Sequence, residues 1–112
     1  MTDKKSIAVL PFVNSSVNNE ADYFADGIAE SIIHALGKIQ ELKVTSRTSS
    51  FSFRNTTHTI SEIAEKLNVA IILEGSIQLA GTTARIRIQL IETNTDYNFW
   101  SETFDRDLKN IF

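Results

Sequence analysis

The sequence contains no cysteine, one proline, one tryptophan and only four glycines in 112 residues. The absence of cysteine excludes disulfide bonds, thiolate catalysis and cysteine-ligated zinc. The glycines, at positions 27, 37, 75 and 81, are too scattered for a P-loop or a dinucleotide-binding fingerprint. No apolar run approaches the ~20 residues that a membrane-spanning helix needs. These absences remove several common kinds of catalytic and binding site.

The remaining composition is that of an ordinary globular domain. Hydrophobic residues make up 42% and charged residues 22% of the chain, and the net charge is −3. A small acidic balance argues against nucleic-acid binding across the whole domain. Two histidines cannot make a zinc site by themselves. We therefore predict one domain over residues 1–112, with no metal, no cofactor, no direct nucleic-acid contact and no membrane insertion by this domain.

The first half of the chain predicts a strand, a helix and a short strand. Residues 7–13 are apolar at every position, which is typical of a strand buried on both faces, and we expect it to end or bulge at Pro11. Residues 20–38 carry apolar side chains at helical spacing, and residues 42–46 read as a short strand. The predicted buried stripe of the helix consists of Phe24, Ile28, Ile32, Leu36 and Ile39.

The second half predicts a helix followed by a β-meander. Thr59 and Glu62 have the spacing of a capping box, and Asn68 is suited to end that helix in a left-handed conformation. Residues 71–79, 84–90 and 97–104 alternate between apolar and polar side chains or carry strand-forming residues. The predicted fold is α/β (α+β), a two-layer structure with a mixed five-stranded sheet and two helices. Its order is β-α-β-α-β-β-β, and we expect both helices on one face.

One polar segment has the side chains of an anion site. Arg47, Thr48, Ser49 and Ser50 follow a predicted strand, where α/β sheets place their ligands. One guanidinium and three hydroxyls could hold a phosphate or a carboxylate. Alternatively, the hydroxyls cap backbone amides and Arg47 pairs with an acid.

Asp26 and Gly27, in the first helix, could contribute to the same site from the other side. For Gly27 there are two interpretations: close packing of the helix on the sheet, or space for a group to approach the backbone. We favour the first.

The other charged residues do not form a catalytic constellation. Arg85 and Arg87 lie on the polar face of a predicted strand, where we expect cross-strand pairs, for example to Glu74 or Glu102. No serine lies in a nucleophile elbow, and both histidines are predicted to have structural or solvent roles. The domain is therefore predicted not to be an enzyme.

Five segments, in order along nearly the whole chain, resemble a known family. Residues 6–14 read SIAVLPFVN, residues 23–28 YFADGI, residues 44–51 VTSRTSSF, residues 73–77 LEGSI and residues 99–106 FWSETFDR. This pattern is similar to the TolB amino-terminal-like domain, also called FlgO-like, of bacterial multidomain proteins.

The resemblance implies a module within a longer signalling protein. Members are usually followed by tetratricopeptide repeats and often preceded by an adenylate/guanylate cyclase or a DNA-binding domain, and they have no established catalytic residues. We expect a fragment that acts as a non-catalytic regulatory or protein-interaction module. The alternative is a sensory domain for a small anionic ligand or nucleotide. The expected location is the cytoplasmic or the periplasmic side of a membrane-tethered parent.

Overall fold

The computed structural model describes residues 3–16 and 20–107. They form, in chain order, β1 (Ser6–Val9), β2 (Val13–Asn14), α1 (Glu20–Leu36), β3 (Lys43–Val44), α2 (Arg47–Phe51), α3 (Ile60–Leu67), β4 (Ile71–Ala80), β5 (Thr83–Glu92) and β6 (Tyr97–Asp107). The strands make one sheet of order β3-β1-β4-β5-β6, and β2 pairs with β4. The pairs of β1 with β3 and of β1 and β2 with β4 are parallel, whereas β4, β5 and β6 pair antiparallel. The predicted α/β class and mixed sheet are confirmed.

Two short elements add to the predicted order. The apolar run at residues 7–13 is divided, because pairing with β4 stops after Val9 and resumes at Val13, on either side of Pro11. The second piece is β2, so the sheet has six strands and not five. The other addition is α2, which replaces part of the predicted polar loop and makes three helices.

The residues of β1 point alternately into two hydrophobic cores. Ile7 and Val9 belong to the core on the α1 side, whereas Ala8 and Leu10 belong to the core beneath α3. All four residues of β1 are buried. The expectation that both helices lie on one face is therefore wrong at this end of the sheet. A strand that is apolar on both faces must be covered on both faces, since either exposed face would leave large apolar side chains in water.

Alanine, not glycine, brings α1 close to the sheet. Ala21, Ala25 and Ala29 recur every four residues and are at most 2% exposed. The larger side chains of the predicted stripe from Phe24 to Leu36 pack around them. Gly27 is exposed with open space where a side chain would lie, so the packing interpretation of this glycine is wrong. Ile39 lies beyond the end of α1 and is half exposed.

The predicted capping box begins α3. The backbone N–H of Glu62 donates to the Thr59 hydroxyl at 3.2 Å, and the backbone N–H of Thr59 donates to the Glu62 carboxylate at 3.1 Å. That backbone bond, with a contribution from His58, holds the pKa of Glu62 below its ordinary value of 4.5. Asn68 ends the helix with φ of 55°, as predicted. Both ends of α3 are therefore fixed by local hydrogen bonds.

We expect Thr59→Ala to lower the free energy of unfolding by about 1 kcal/mol at neutral pH, because it leaves an amide of α3 without its cap. Urea denaturation measures this loss, and Thr57→Ala, at an exposed neighbour, is the matched control. Equal losses in both variants would contradict the capping role of Thr59.

The pKa of Glu62 is lowered in the folded state. The contribution of its carboxylate to the free energy of unfolding is therefore present above pH 4.5 and is lost as the pH falls through the folded pKa.

The last three strands form the predicted β-meander. Ala84, Ile86, Ile88 and Leu90 of β5 belong to the α1-side core, as their alternation indicates. Pairing between β5 and β6 shifts by one residue, because Leu90 lies opposite Trp100 whereas Ile91 lies opposite Asn98. Phe99 is the extra residue of this β-bulge. The bulge sets which side chains of β6 face the arginines of β5.

Candidate functional site

The segment predicted as an anion-binding loop is helical. The Ser46 hydroxyl accepts a hydrogen bond from the backbone N–H of Ser49 at 3.3 Å and caps α2. The backbone N–H groups of Ser50 and Ser52 donate to carbonyls four residues earlier, at 3.0 and 3.1 Å. The expectation of a loop at residues 47–50 is therefore wrong, because the serine-rich sequence supplies its own helix cap.

Two arginines hold α2 against α1. The guanidinium groups of Arg47 and Arg54 lie 4.5 and 5.3 Å from the centre of the Phe51 ring. Arg47 also pairs with Glu30, and Arg54 pairs with Asp26 at 2.8 Å. Asp26 and Glu30 are one helical turn apart, so both carboxylates point to the same side of α1. The predicted site residues Arg47 and Asp26 therefore belong to one cluster, in which Arg47 pairs with Glu30 of α1 and Asp26 pairs with Arg54, three residues after the end of α2.

The other predicted site residues do not join this cluster through hydrogen bonds. Thr48 and Ser49 are exposed, and the Ser49 hydroxyl accepts a bond from Ser46 at 3.2 Å. Ser50 is fully buried, and its hydroxyl has no hydrogen-bond partner among the described residues. Gly27 is exposed beside open space. Anion binding by this set stays a prediction.

A cleft of about 1000 Å³ opens on the α3 side of the sheet. One wall is apolar and includes Leu10, Phe53 and Ile63, which belong to the core beneath α3 or pack against it. The floor is the polar face of the meander, with Glu74, Ser76, Arg87, Gln89, Ser101 and Thr103. Its volume lies in the range of small-molecule sites. Sequence reasoning missed this cleft because its residues come from distant parts of the chain.

Three rows of side chains cross the polar face from β4 through β5 to β6. In the first row, Arg85 of β5 donates two hydrogen bonds to Asp105 of β6, at 2.8 and 3.2 Å. Gln78 of β4 lies opposite Arg85 on its other side. The Arg85 guanidinium therefore holds the pKa of Asp105 below its usual range, and Asp105 raises the pKa of Arg85. The partner of Arg85 is thus Asp105, and not Glu74 or Glu102 as the sequence suggested.

The other two rows differ in how their polar groups are used. In one, Gln89 donates to Glu74 and accepts a hydrogen bond from Asn98 at 3.2 Å. In the row between them, Arg87 lies directly opposite Ser76 on β4 and Thr103 on β6. Across the described ranges, these three side chains make no hydrogen bond or ion pair. The positive charge of Arg87 helps to lower the pKa of Asp105 through space.

The outer edge of the sheet is a long, exposed strand. β6 has eleven residues, of which only Phe104 is half-buried and the rest are exposed. Tyr97, Phe99 and Trp100 are 72%, 53% and 42% exposed. An edge strand presents unpaired N–H and C=O groups, and large exposed apolar groups mark interaction sites. β6 therefore combines a backbone edge that pairs with no further strand among the described residues with an aromatic cluster, formed by Tyr97, Phe99 and Trp100.

With this geometry established, comparison with known proteins identifies the family. Residues 3–112 match the model of the HilA/YgeH-like transcriptional regulator, second domain. The chain belongs to this family. The match includes α2, the cleft and β6. The HilA/YgeH-like domain is described as part of transcriptional regulators, so the prediction of a non-enzymatic domain is confirmed.

A curated relative places the same domain in a larger protein. The HilA/YgeH-like domain is 45% identical over 109 residues to "Putative adenylate cyclase 3" of Rhizobium meliloti. The alignment covers 97% of this chain and 19% of that protein. The chain thus spans about a fifth of the length of the relative.

Solved structures share the fold at low sequence identity. The LpoB C-terminal domain of Salmonella enterica has a TM-score of 0.73 and 16% identity, over 96% of this chain and 85% of that one. TolB of Acinetobacter baumannii has a TM-score of 0.66 and 14% identity, over 97% of this chain and 25% of that one. The predicted likeness to TolB is therefore confirmed for the fold of the HilA/YgeH-like domain.

Neither of the two histidines lines the cleft. His58 contacts Glu62 at 3.2 Å and meets the Phe53 ring edge-on, and His34 is exposed near the end of α1. In residues 3–16 and 20–107, no three or more His, Asp or Glu side chains are grouped to hold a metal ion. None of the helices in these ranges is long and apolar enough to cross a membrane.

Proposed function

We propose that this HilA/YgeH-like domain is a non-catalytic regulatory and protein-interaction module of a bacterial signalling protein. Its place would be beside an adenylate cyclase or DNA-binding effector domain, with tetratricopeptide repeats in the same chain, as FlgO-like domains are arranged. Two findings support this: the family description names transcriptional regulators, and the 45% identical relative carries a cyclase name. Both effector classes would then share one module.

The observation that carries the proposal is the free edge of β6. An extended segment of a partner can add to such an edge by main-chain hydrogen bonds, while pockets or aromatic groups select its side chains. The aromatic cluster occupies the first half of β6, whereas Glu102, Asp105, Arg106 and Asp107 lie in the second half. Charges of this kind discourage non-specific pairing of edge strands. The uncharged half is therefore the proposed docking segment.

The test replaces residues 3–107 with a flexible linker in a full-length parent protein. We expect basal effector activity to persist, because the effector domain is separate, and regulation of that activity by the cell's signals to be lost. Reporter transcription or cyclic-nucleotide formation is the measurement, according to the effector. A parent whose output and regulation are unchanged by the replacement would refute the proposal.

A second candidate function is recognition of a small anion at the predicted Arg47 site. The buried Ser50 hydroxyl, which has no partner in the described part of the chain, favours it. If Arg47 binds an anion, phosphate or a nucleotide raises the melting temperature of the domain, because a ligand that binds the folded state stabilises it. Arg47→Ala should remove that shift, whereas Lys38→Ala should keep it. No shift with any anion would end this candidate.

A further inference from the structure

We propose that Arg87, Ser76 and Thr103 form a binding site for a small organic carboxylate with an apolar body. The site lies on the floor of the cleft on the α3 side and is separate from the Arg47 cluster. It does not depend on docking at β6. The guanidinium of Arg87 lines the cleft and has no hydrogen-bonding partner among the described residues.

The neighbouring rows show what is unusual about Arg87. Arg85, two residues away on the same face, donates two hydrogen bonds to Asp105, whose carboxylate balances its charge. On the other side, Gln89 is satisfied by Glu74 and Asn98. Arg87 instead lies between two hydroxyl side chains on adjacent strands, at the positions where cross-strand neighbours are about 5 Å apart. The row of Ser76, Arg87 and Thr103 therefore has no side-chain hydrogen bonds among the described residues, whereas the rows on either side of it are hydrogen-bonded.

The chemistry of this row fits a carboxylate. A guanidinium presents parallel N–H groups that match the two oxygens of a planar carboxylate, and hydroxyls can donate to the same oxygens. Glu74 lies on the same cleft floor, in the adjacent row, and its charge disfavours a dianion such as phosphate more than a monoanion. The row therefore selects a singly charged oxyanion.

The apolar wall determines the rest of the ligand. Leu10, Phe53 and Ile63 line the same cleft as the polar row. Pairing with β4 is interrupted here, because β1 ends opposite Leu73 and β2 begins opposite Ser76. Glu74 and Gly75 therefore have no strand partner on that side, which opens the cleft between the wall and the floor. An apolar body attached to the carboxylate can lie against this wall.

The test is a titration of the 112-residue chain with phenylacetate, at concentrations up to about 10 mM. The backbone amide signals in NMR spectra report binding. We expect saturable shifts at Ser76, Arg87 and Thr103. Phenylacetamide, which has the same shape without the charge, should bind at least about tenfold more weakly, since a hydrogen bond to a charged group is worth that much. Inorganic phosphate should also bind more weakly.

The matched variants separate the two arginines. Arg87→Gln should weaken phenylacetate binding by at least about tenfold, whereas Arg85→Gln should change it less than about twofold. Both residues are exposed, and the amide spectrum of each variant reports whether the fold is intact. The proposal is overturned by the absence of saturable shifts in these three residues, by equal binding of phenylacetamide or phosphate, or by equal effects of the two variants.

Discussion

Gly75→Ala is expected to destabilise the domain by about 3 kcal/mol, the largest loss of stability expected from adding a methyl group at any of the four glycines. A Cβ atom at this position would lie 2.6 Å from the Arg87 carbonyl oxygen and 2.7 Å from two ring carbons of Phe12. The carbonyl belongs to the neighbouring strand, and Phe12 is only 3% exposed, so neither can move away cheaply. Chemical denaturation of the purified domain measures the loss.

Gly27→Ala is the matched control, because it adds the same methyl group where nothing lies within 4 Å. This glycine is inside α1, and alanine in a helix interior is more favourable than glycine by about 1 kcal/mol. We therefore expect the two substitutions to shift the denaturation midpoint in opposite directions. If both variants lose stability equally, the close approach of Phe12 to β4 is not as the structure shows.

Phe99→Asp in a full-length parent is expected to abolish regulation as completely as replacing the whole domain. The aspartate removes the most central aromatic group of the cluster and places a charge where a partner strand would pack. Because Phe99 is 53% exposed, the substitution removes only about half of the burial of a full phenylalanine, so the domain itself should lose about 1 kcal/mol of stability and stay folded. The regulated output of the parent and the urea stability of the domain are measured together.

Tyr23→Asp is the control for that experiment. Tyr23 is 90% exposed on α1 and is not part of the sheet edge, so regulation should persist. Normal regulation in the Phe99→Asp parent would count against docking at β6. Loss of regulation in both variants would mean that exposed aromatic groups in general, and not this edge, are responsible.

The elements with strong local signals could be predicted from the sequence. The capping box at Thr59 and Glu62 needs only two residues at fixed spacing, and the meander follows from alternation. Helix α2 was missed because five residues are too few to show an apolar stripe, and its cap at Ser46 resembles a turn. The run at residues 7–13 indicated burial on two faces, but the prediction still placed both helices on one face, and the structure corrects this by placing α1 and α3 on opposite sides of β1.

The site could not be predicted to the same degree, because its pairings depend on register. The meander places Asp105 opposite Arg85 and Thr103 opposite Arg87, and the bulge at Phe99 sets this alignment. A shift of one residue would move these side chains to the other face of the sheet. The pairing of Arg47 with Glu30 likewise requires the packing of α2 on α1. Neither relation is visible in the local sequence.

The most direct test of the proposed function is photo-crosslinking of a full-length parent in its host cell. The photoreactive residue p-benzoylphenylalanine replaces Phe99 in one strain and Tyr23 in another, so that both probes replace an exposed aromatic side chain. We expect a discrete adduct, with a partner protein or with another segment of the parent, from position 99 and none from position 23. An adduct from position 23 alone, or none from position 99 while the domain still regulates its parent, would contradict docking at β6.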